Sequence, residues 1–307
     1  MNKIICNTAA NGATPRLSVL IPFYKDDASA LINALSAQNL SQHVEIILVD
    51  DGTGDADLTA KTSQAVMDCK PACTLITLAL NQGRAKARNH LQSASKADWI
   101  LFLDADMRPV KDNFLENYLS LIEANMADVF FGGFTVEAKS QNKSGELHRA
   151  LSAVSDCLPL HERQAAGPQF VASSNLCIRK SVIEDNPFDD GFQGWGWEDS
   201  EWAARIASKH TLLHVDNPAL HLGLESTDTL LNRFSSSGAN YARFTQKHPE
   251  LAKTLTLFQL SNKLKSIPGQ KLIRPFLKLI VKLPFPIKAR LIALKLWRAS
   301  WYAEALS

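Results

Sequence analysis

The 307 residues contain no long apolar run, no disulfide framework and no repeat. Segments such as Trp99 to Leu103 and Leu279 to Val281 fall far short of the roughly 20 apolar residues that a membrane-crossing helix needs. The five cysteines, Cys6, Cys69, Cys73, Cys157 and Cys177, are odd in number and scattered, which suits a reducing compartment better than paired disulfides. Cys69-Lys-Pro-Ala-Cys73 has no second Cys or His pair nearby to complete a zinc site, and Pro71 marks a turn there. Glycine (14) and proline (13) are too few for a collagenous or low-complexity chain, and no solenoid period is visible. Met1 to Ala10 lacks the apolar h-region of a secretory signal. A cytoplasmic protein is expected, and nothing points to a nucleic-acid partner.

Acid is absent from one region. Between Asn262 and Tyr302 there are ten Lys or Arg and no Asp or Glu; removing those ten from the 33 basic residues leaves 23 against 31 acidic ones, a net charge of −8. The overall charge of +2 therefore conceals an acidic body with a basic, hydrophobic end.

The body alternates between two periodicities. Arg16 to Phe23, Val44 to Val49, Thr74 to Leu80 and Trp99 to Leu103 read as buried strands, and Ala28 to Gln38, Asp57 to Asp68 and Gly83 to Ser93 as the intervening helices. Continuous apolar strands separated by helices predict an α/β fold, a mostly parallel Rossmann-like sheet covered on both faces. Ligands in such sheets bind beyond the carboxyl ends of the strands. Those ends are polar here: Tyr24-Lys25-Asp26-Asp27, Asp50-Asp51-Gly52-Thr53, Asn81-Gln82-Gly83-Arg84 and Asp104-Ala105-Asp106. Several acids at one edge repel unless a positive group sits among them. A divalent cation carrying a phosphorylated ligand is the economical candidate, although Asp and Gly also serve as simple βα turns.

Two Asp-x-Asp triplets must be told apart. Asp55-Ala56-Asp57 lies in a Gly-rich turn that opens a helix, where N-capping accounts for it. Asp104-Ala105-Asp106 ends a strand, where alternate residues share a face and both carboxylates can converge on one cation.

The segments Ser18-Val-Leu-Ile-Pro-Phe-Tyr24, Ile46-Ile-Leu-Val-Asp-Asp-Gly-Thr53, Asn81-Gln-Gly-Arg-Ala-Lys-Ala-Arg-Asn89 and Ile100-Leu-Phe-Leu-Asp-Ala-Asp106 together resemble a family 2-type glycosyltransferase of the GT-A fold. Gly194-Trp-Gly-Trp-Glu-Asp-Ser-Glu201 resembles the acceptor and catalytic segment of inverting galactosyl- and N-acetylgalactosaminyl-transferases. The resemblance implies a hexosyltransferase with a UDP-sugar donor, galactose or N-acetylgalactosamine preferred, and Mn2+ or Mg2+ at an Asp-x-Asp motif. It implies that Pro22, Phe23 and Tyr24 line the nucleoside, that Asp51 binds uracil or ribose, and that Arg84 or Arg88 holds base or phosphate. Asp104 would touch ribose or metal-bound water, beside Ala105 at the donor, and Asp106 and His221 would ligate the metal, with His214 the rival third ligand. Asp199 would be the catalytic base, and Trp195, Trp197 and Glu198 would bind the acceptor. For the tryptophans the other reading is ordinary core packing; for Glu198 and Asp199 it is acids favouring a helix start over Ser200 to Ser208.

By the same resemblance, residues 1–127 form the nucleotide-sugar half and 128–250 the acceptor and catalytic half, including a strand over Val129 to Val136 and a helix over Glu146 to Leu158. Residues 251–307 form a helical extension. The Gln-x-x-Arg-Trp motif of processive synthases is absent, so transfer of single residues in glycan or polysaccharide synthesis is expected. The different-class alternative is a non-catalytic nucleotide-sugar sensor or scaffold. In the extension, Lys271, Arg274, Lys278 and Lys282 recur at helical spacing among Leu272, Ile273, Phe276 and Leu279, and Trp297 and Trp301 follow. This pattern predicts amphipathic helices lying on an anionic membrane beside a lipid-linked saccharide acceptor. Docking on the catalytic domain, or a homodimer interface, is the other use for them.

Overall fold

The structure is a computed structural model and describes residues 2–38, 43–137 and 143–307. The strands are β1 (Lys3–Cys6), β2 (Leu17–Phe23), β3 (Val44–Asp50), β4 (Ala72–Thr77), β5 (Trp99–Leu103), β6 (Met107–Pro109), β7 (Val129–Phe131), β8 (Phe134–Val136), β9 (Asn175–Arg179), β10 (Leu212–His214) and β11 (Ala219–His221). The main sheet runs β1-β4-β3-β2-β5-β9-β7-β10, and β6-β11-β8 form a second small sheet. Strands β4, β3, β2 and β5 are parallel, and β9 pairs antiparallel with both β5 and β7. This is the α/β architecture expected of a GT-A fold.

The central strands are apolar apart from the buried Ser18 and Asp50 and from Glu45, which accepts from the Ser18 hydroxyl, because both faces are covered. Val19, Ile21, Ile46, Leu48 and Leu101 enter one core; Leu20, Ile47, Val49, Ile100 and Phe102 enter the other. The period-2 alternation thus divides each strand between two helical layers. The chain steps from β2 through β3 to β4 on one side, then returns to place β5 on the other side of β2. That reversal sets the switch point, where a crevice opens, between the ends of β2 and β5.

The predicted alternation of strands and helices is present, with ends displaced by up to three residues. Two expectations need correction, and one element is additional to them. Ahead of β2 the chain carries an edge strand, β1, paired antiparallel with β4. Its anchor is the buried Asn7, whose Nδ2 donates to the carbonyls of Cys69 and Pro71, each at 2.8 Å, and whose Oδ1 accepts from the Cys73 amide. The strand expected over Val129 to Val136 is divided by Gly132-Gly133; Gly133 adopts φ +74°, and β8 turns away into the second sheet. The helix expected over Ser200 to Ser208 is Glu198–Ile206, so Glu198 and Asp199 occupy its first turn.

The basic extension shares a core with the body. In the helix Ile287–Ala305, Leu294, Trp297, Ala299, Tyr302 and Ala303 are buried; Leu294 and Trp297 pack with Leu147, Leu151, Leu230 and Phe234, Ala299 and Ala303 with Leu264, and Tyr302 on Tyr241. Trp297 donates its indole N–H to the Leu231 carbonyl, and Arg274 lies 3.7 Å from the Trp301 ring centroid. The two tryptophans expected at a membrane interface are therefore packed inward. The opposite surface stays open, with Leu272, Phe276, Leu279, Phe285 and Ile292 exposed. No helix among the described residues is long and apolar enough to cross a membrane.

Candidate active site

Four strand ends and the starts of two helices build the site. Following β2, Pro22 is half-buried, Phe23 is buried in the core and Tyr24 is exposed, with Lys25 Nζ 4.9 Å from its ring centroid. Of the three residues expected along the nucleoside, Phe23 is therefore a core residue and not a surface one. After β3, the buried Asp51 accepts from the amides of Gln82 (2.8 Å) and Gly83 (2.9 Å). Burial raises its pKa, and those two amides oppose the rise. Asp51 thus shapes the turn that starts the helix Arg84–Ala94, a role its place in Asp-Asp-Gly does not disclose.

That helix carries two guanidinium groups to the end of β5. Arg88, fully buried, places Nη2 3.0 Å from Asp104 Oδ1, and Arg84 places Nη2 3.2 Å from Asp104 Oδ2. Arg84 Nε also lies 3.2 Å from Glu198 Oε1. Both arginines therefore meet Asp104, and only the half-exposed Arg84 retains an open side. Glu198 is buried; loss of solvent first, and the neighbouring Asp199 second, raise its pKa against the pull of Arg84. Ala105 is buried and offers its backbone.

Asp106 and His221 meet through sheet register. Asp106 immediately precedes β6, His221 ends β11, and the antiparallel pairing sets His221 opposite Met107. His221 Nε2 and Asp106 Oδ2 are 3.1 Å apart. Burial alone would raise the Asp106 pKa, but its hydrogen bond and attraction to His221 leave it lowered; the same bond raises His221 against burial. His214 goes elsewhere: β10 pairs with β7, and its ring packs on Phe131 with Nδ1 3.5 Å from Arg163. Among the described residues no group of three His, Cys, Asp or Glu side chains is placed to hold a metal. Asp106 and His221 nevertheless fit a cation that draws its other ligands from substrate and water, since they offer one hard oxygen and one imidazole nitrogen at a single point.

Two neighbours of this pair lie outside the sequence expectations, and a third, Asp26, is one of the acids expected at the strand ends. Gly223 passes so close that a Cβ there would fall on Asp106 Oδ2. His148 faces His221 with ring centroids 5.7 Å apart and accepts the Glu225 amide at Nδ1; burial first, then His221 and Arg233, push its pKa down to about 4. Asp26 has a raised pKa from desolvation and then from the charges of Asp106 and Asp104. A lone His on a helix and a Gly after a strand carry no sequence signal of such proximity.

Asp199 has one carboxylate oxygen tied and one free. Oδ2 accepts from the Ser173 amide (2.9 Å) and hydroxyl (3.0 Å), while Oδ1 is buried without a hydrogen-bond partner among the described residues. Glu201, two residues on, is fully buried and bound by Arg205 and Lys247. Trp195 is half-buried, its ring 5.7 Å from Phe234 with Arg233 over it. Trp197 packs on Tyr241 and Phe244 and donates its N–H to Tyr302, so the pair expected to stack on sugar is divided between a rim position and a packed one.

Comparison with known proteins gives a consistent family. Residues 18–185 match the model of Glycosyl transferase family 2. An uncharacterized glycosyltransferase of Haemophilus influenzae is 32% identical over 121 residues, covering 37% of this chain and 48% of that protein. An N-acetylglucosaminyltransferase of Sinorhizobium fredii is 24% identical over 170 residues, covering 54% and 40%. The chain thus spans less than half the length of these curated relatives. Two solved structures share the fold: S. aureus TarS 1-349 in complex with UDP-GlcNAc (TM-score 0.55, 15% identity, covering 95% of this chain and 90% of that one), and the mannosyltransferase PcManGT from Pyrobaculum calidifontis in complex with GDP-Man and Mn2+ (TM-score 0.57, 14% identity, covering 95% and 88%).

The contact at Gly223 yields a direct test. Gly223→Ala must displace the Asp106 carboxylate by about an ångström, a shift that can cost roughly 10²-fold in turnover. Steady-state rates should fall on that scale while the thermal unfolding midpoint stays near that of the unsubstituted protein.

Proposed function

We propose that this chain, which belongs to glycosyl transferase family 2, moves a hexose from a UDP-sugar to a saccharide acceptor with inversion at the anomeric carbon. It is a transferase with a GT-A-type fold; donor, acceptor and residue roles are our reading. The observation that carries it is Asp199, with Oδ2 held by Ser173 and Oδ1 buried and unpartnered. An unpaired oxygen at that place is costly unless a ligand hydroxyl meets it. Asp199 would take the proton of the acceptor hydroxyl as that oxygen attacks the anomeric carbon opposite the leaving diphosphate. One base and one displacement give inversion. A non-catalytic nucleotide-sugar sensor has no use for such a carboxylate.

On the donor side, Pro22 and Tyr24 would border the nucleoside above the buried Phe23, with Asp51 shaping the adjacent turn. Arg84 would offer its open side to the diphosphate, and Arg88 would hold Asp104 toward ribose. Asp106 and His221 would hold Mn2+ or Mg2+. When bound, such a cation neutralises charge on the departing diphosphate. The Trp-Gly-Trp-Glu-Asp segment favours galactose or N-acetylgalactosamine, and the UDP-GlcNAc complex of TarS puts N-acetylglucosamine among the donors to be tried.

The exposed side of the extension would rest on an anionic membrane, bringing the site to a lipid-linked acceptor. Leu272, Phe276, Leu279, Phe285 and Ile292 supply apolar area. Lys278, Lys288 and Lys295 are exposed and form no ion pair among the described residues, each contributing about 1 kcal/mol near an anionic surface. Helices of this kind lie in the interface plane.

Three tests follow. Asp199→Asn preserves shape but cannot accept a proton, so transfer from the preferred UDP-sugar should fall by roughly 10² or more with little change in donor affinity measured by calorimetry; retained turnover removes Asp199 as the base. Asp106→Ala should abolish Mn2+-dependent donor binding, whereas Asp57→Ala should leave it intact because Asp55, not Asp57, supplies the helix cap; equal losses at both positions would defeat the assignment. Leu272→Ser combined with Phe276→Ser should move the protein from phosphatidylglycerol vesicles to the supernatant at low salt without changing its unfolding midpoint. Unsubstituted protein that ignores those vesicles refutes the attachment.

A further inference from the structure

We infer that Tyr302, on the C-terminal helix Ile287–Ala305 and beyond the residues matched by the family, is a positioning residue that holds the segment carrying Asp199 in its working conformation. The inference rests on the reading of Asp199 as the base.

The segment needs holding. Gly194, Gly196 and Trp197 all adopt positive φ, at +75°, +92° and +76°. For the two glycines this costs little, but for Trp197 the left-handed backbone is unfavourable and persists only where surrounding contacts over-determine it. Trp197 is also the residue from which the helix Glu198–Ile206 departs, so its backbone angle sets the direction in which Glu198 and Asp199 leave the loop.

Trp197 is held by the C-terminal helix together with the helix Gly238–Lys247. The Tyr302 hydroxyl is fully buried and accepts from Trp197 Nε1 at 3.0 Å and from Arg298 Nε at 3.2 Å. With both lone pairs engaged, its own proton goes to Ser237 Oγ at 2.7 Å. The Tyr302 ring stacks on Tyr241 with centroids 4.3 Å apart, and Tyr241 and Phe244 pack against the Trp197 indole. Arg298 lies over the rings of Trp197, Phe234 and Tyr302. The remainder of the loop is tied by the buried Asn240, which donates to the carbonyls of Gln193 and Gly196 and accepts the Gln193 amide. Asn240 fixes the path of residues 193–196; Tyr302 fixes the indole, and through it the residue at which the path turns into the helix.

A residue that only stabilised the fold would act on unfolding and leave the loop and the chemistry alone. Tyr302→Phe keeps the stacked ring and removes all three hydrogen bonds. Amide hydrogen exchange over residues 193–199 should accelerate by about tenfold or more, with exchange in β2, β3 and β5 unchanged. With the preferred UDP-sugar, kcat should fall by about tenfold while donor KM stays within about twofold, as misplacement of a catalytic group dictates. Trp197→Phe removes the shared N–H···O bond from the other side and should reproduce most of both effects, and combining the two substitutions should fall well short of the sum, because the Trp197–Tyr302 bond is lost in each. If Tyr302→Phe does not fold, Trp197→Phe decides alone. Unchanged exchange in a folded variant, unchanged kcat with a loosened loop, or additive losses in the double variant would each overturn the inference. Asp199→Asn separates the two ideas: normal turnover there refutes the base, while the exchange measurement still decides whether Tyr302 holds the loop.

Discussion

Arg84 is the group on which the site's electrostatics depends. It lies 3.2 Å from Asp104, at the end of a central strand, and 3.2 Å from Glu198, at the start of the helix that carries Asp199. Asp104 and Asp106 flank one residue and Glu198 and Asp199 are adjacent, so two pairs of acids face one crevice. Like charges at such separations oppose each other's ionisation. One guanidinium between the pairs permits both to approach, and Arg88 supports it from beneath by holding the far oxygen of Asp104. Arg suits this position because it stays charged and offers several donors in a fixed plane. The part of the fold that carries Asp104 and the part that carries Asp199 are thus joined by a charge as well as by a sheet.

Around that bridge, the acids are treated differently according to what each must do. Asp104 is bound on both oxygens by arginine, and Asp51 on both by backbone amides; such carboxylates orient other parts. Asp106 is shared with a single imidazole, and Asp199 keeps an oxygen with no partner. Incomplete satisfaction is expensive in a buried place, and at a crevice a ligand can complete it. The contrast between tied and open oxygens locates chemistry more sharply than a count of acids could.

The C-terminal helices extend the same logic. One surface inserts Leu294, Trp297 and Tyr302 into the body, while the other leaves Leu272, Phe276 and Leu279 in solvent. The inward surface reaches the back of the Trp197 turn. Deleting the extension would therefore remove part of the site's support together with the exposed surface, and substitutions confined to the open face separate the two roles.

Strands β2 to β5, their helices and the acids at their ends were legible in the sequence, because hydrophobic periodicity is local and turn chemistry follows within a few residues. The distinction between Asp55-Ala56-Asp57 and Asp104-Ala105-Asp106 was legible for the same reason: one stands at a helix start and the other at a strand end. Tertiary structure alone decided what the register of distant strands controls. His221 rather than His214 meets Asp106 because β11 pairs with β6 while β10 pairs with β7, and both histidines end short apolar strands that look alike in sequence. It likewise decided the direction of the aromatic side chains. Trp197, Trp297 and Trp301 have the composition of sugar or membrane contacts, yet they pack inward, since an indole is amphipathic and which of its surroundings is dry depends on elements far away in the chain. A local pattern determines which residues can share a face; only the packed chain determines what that face meets.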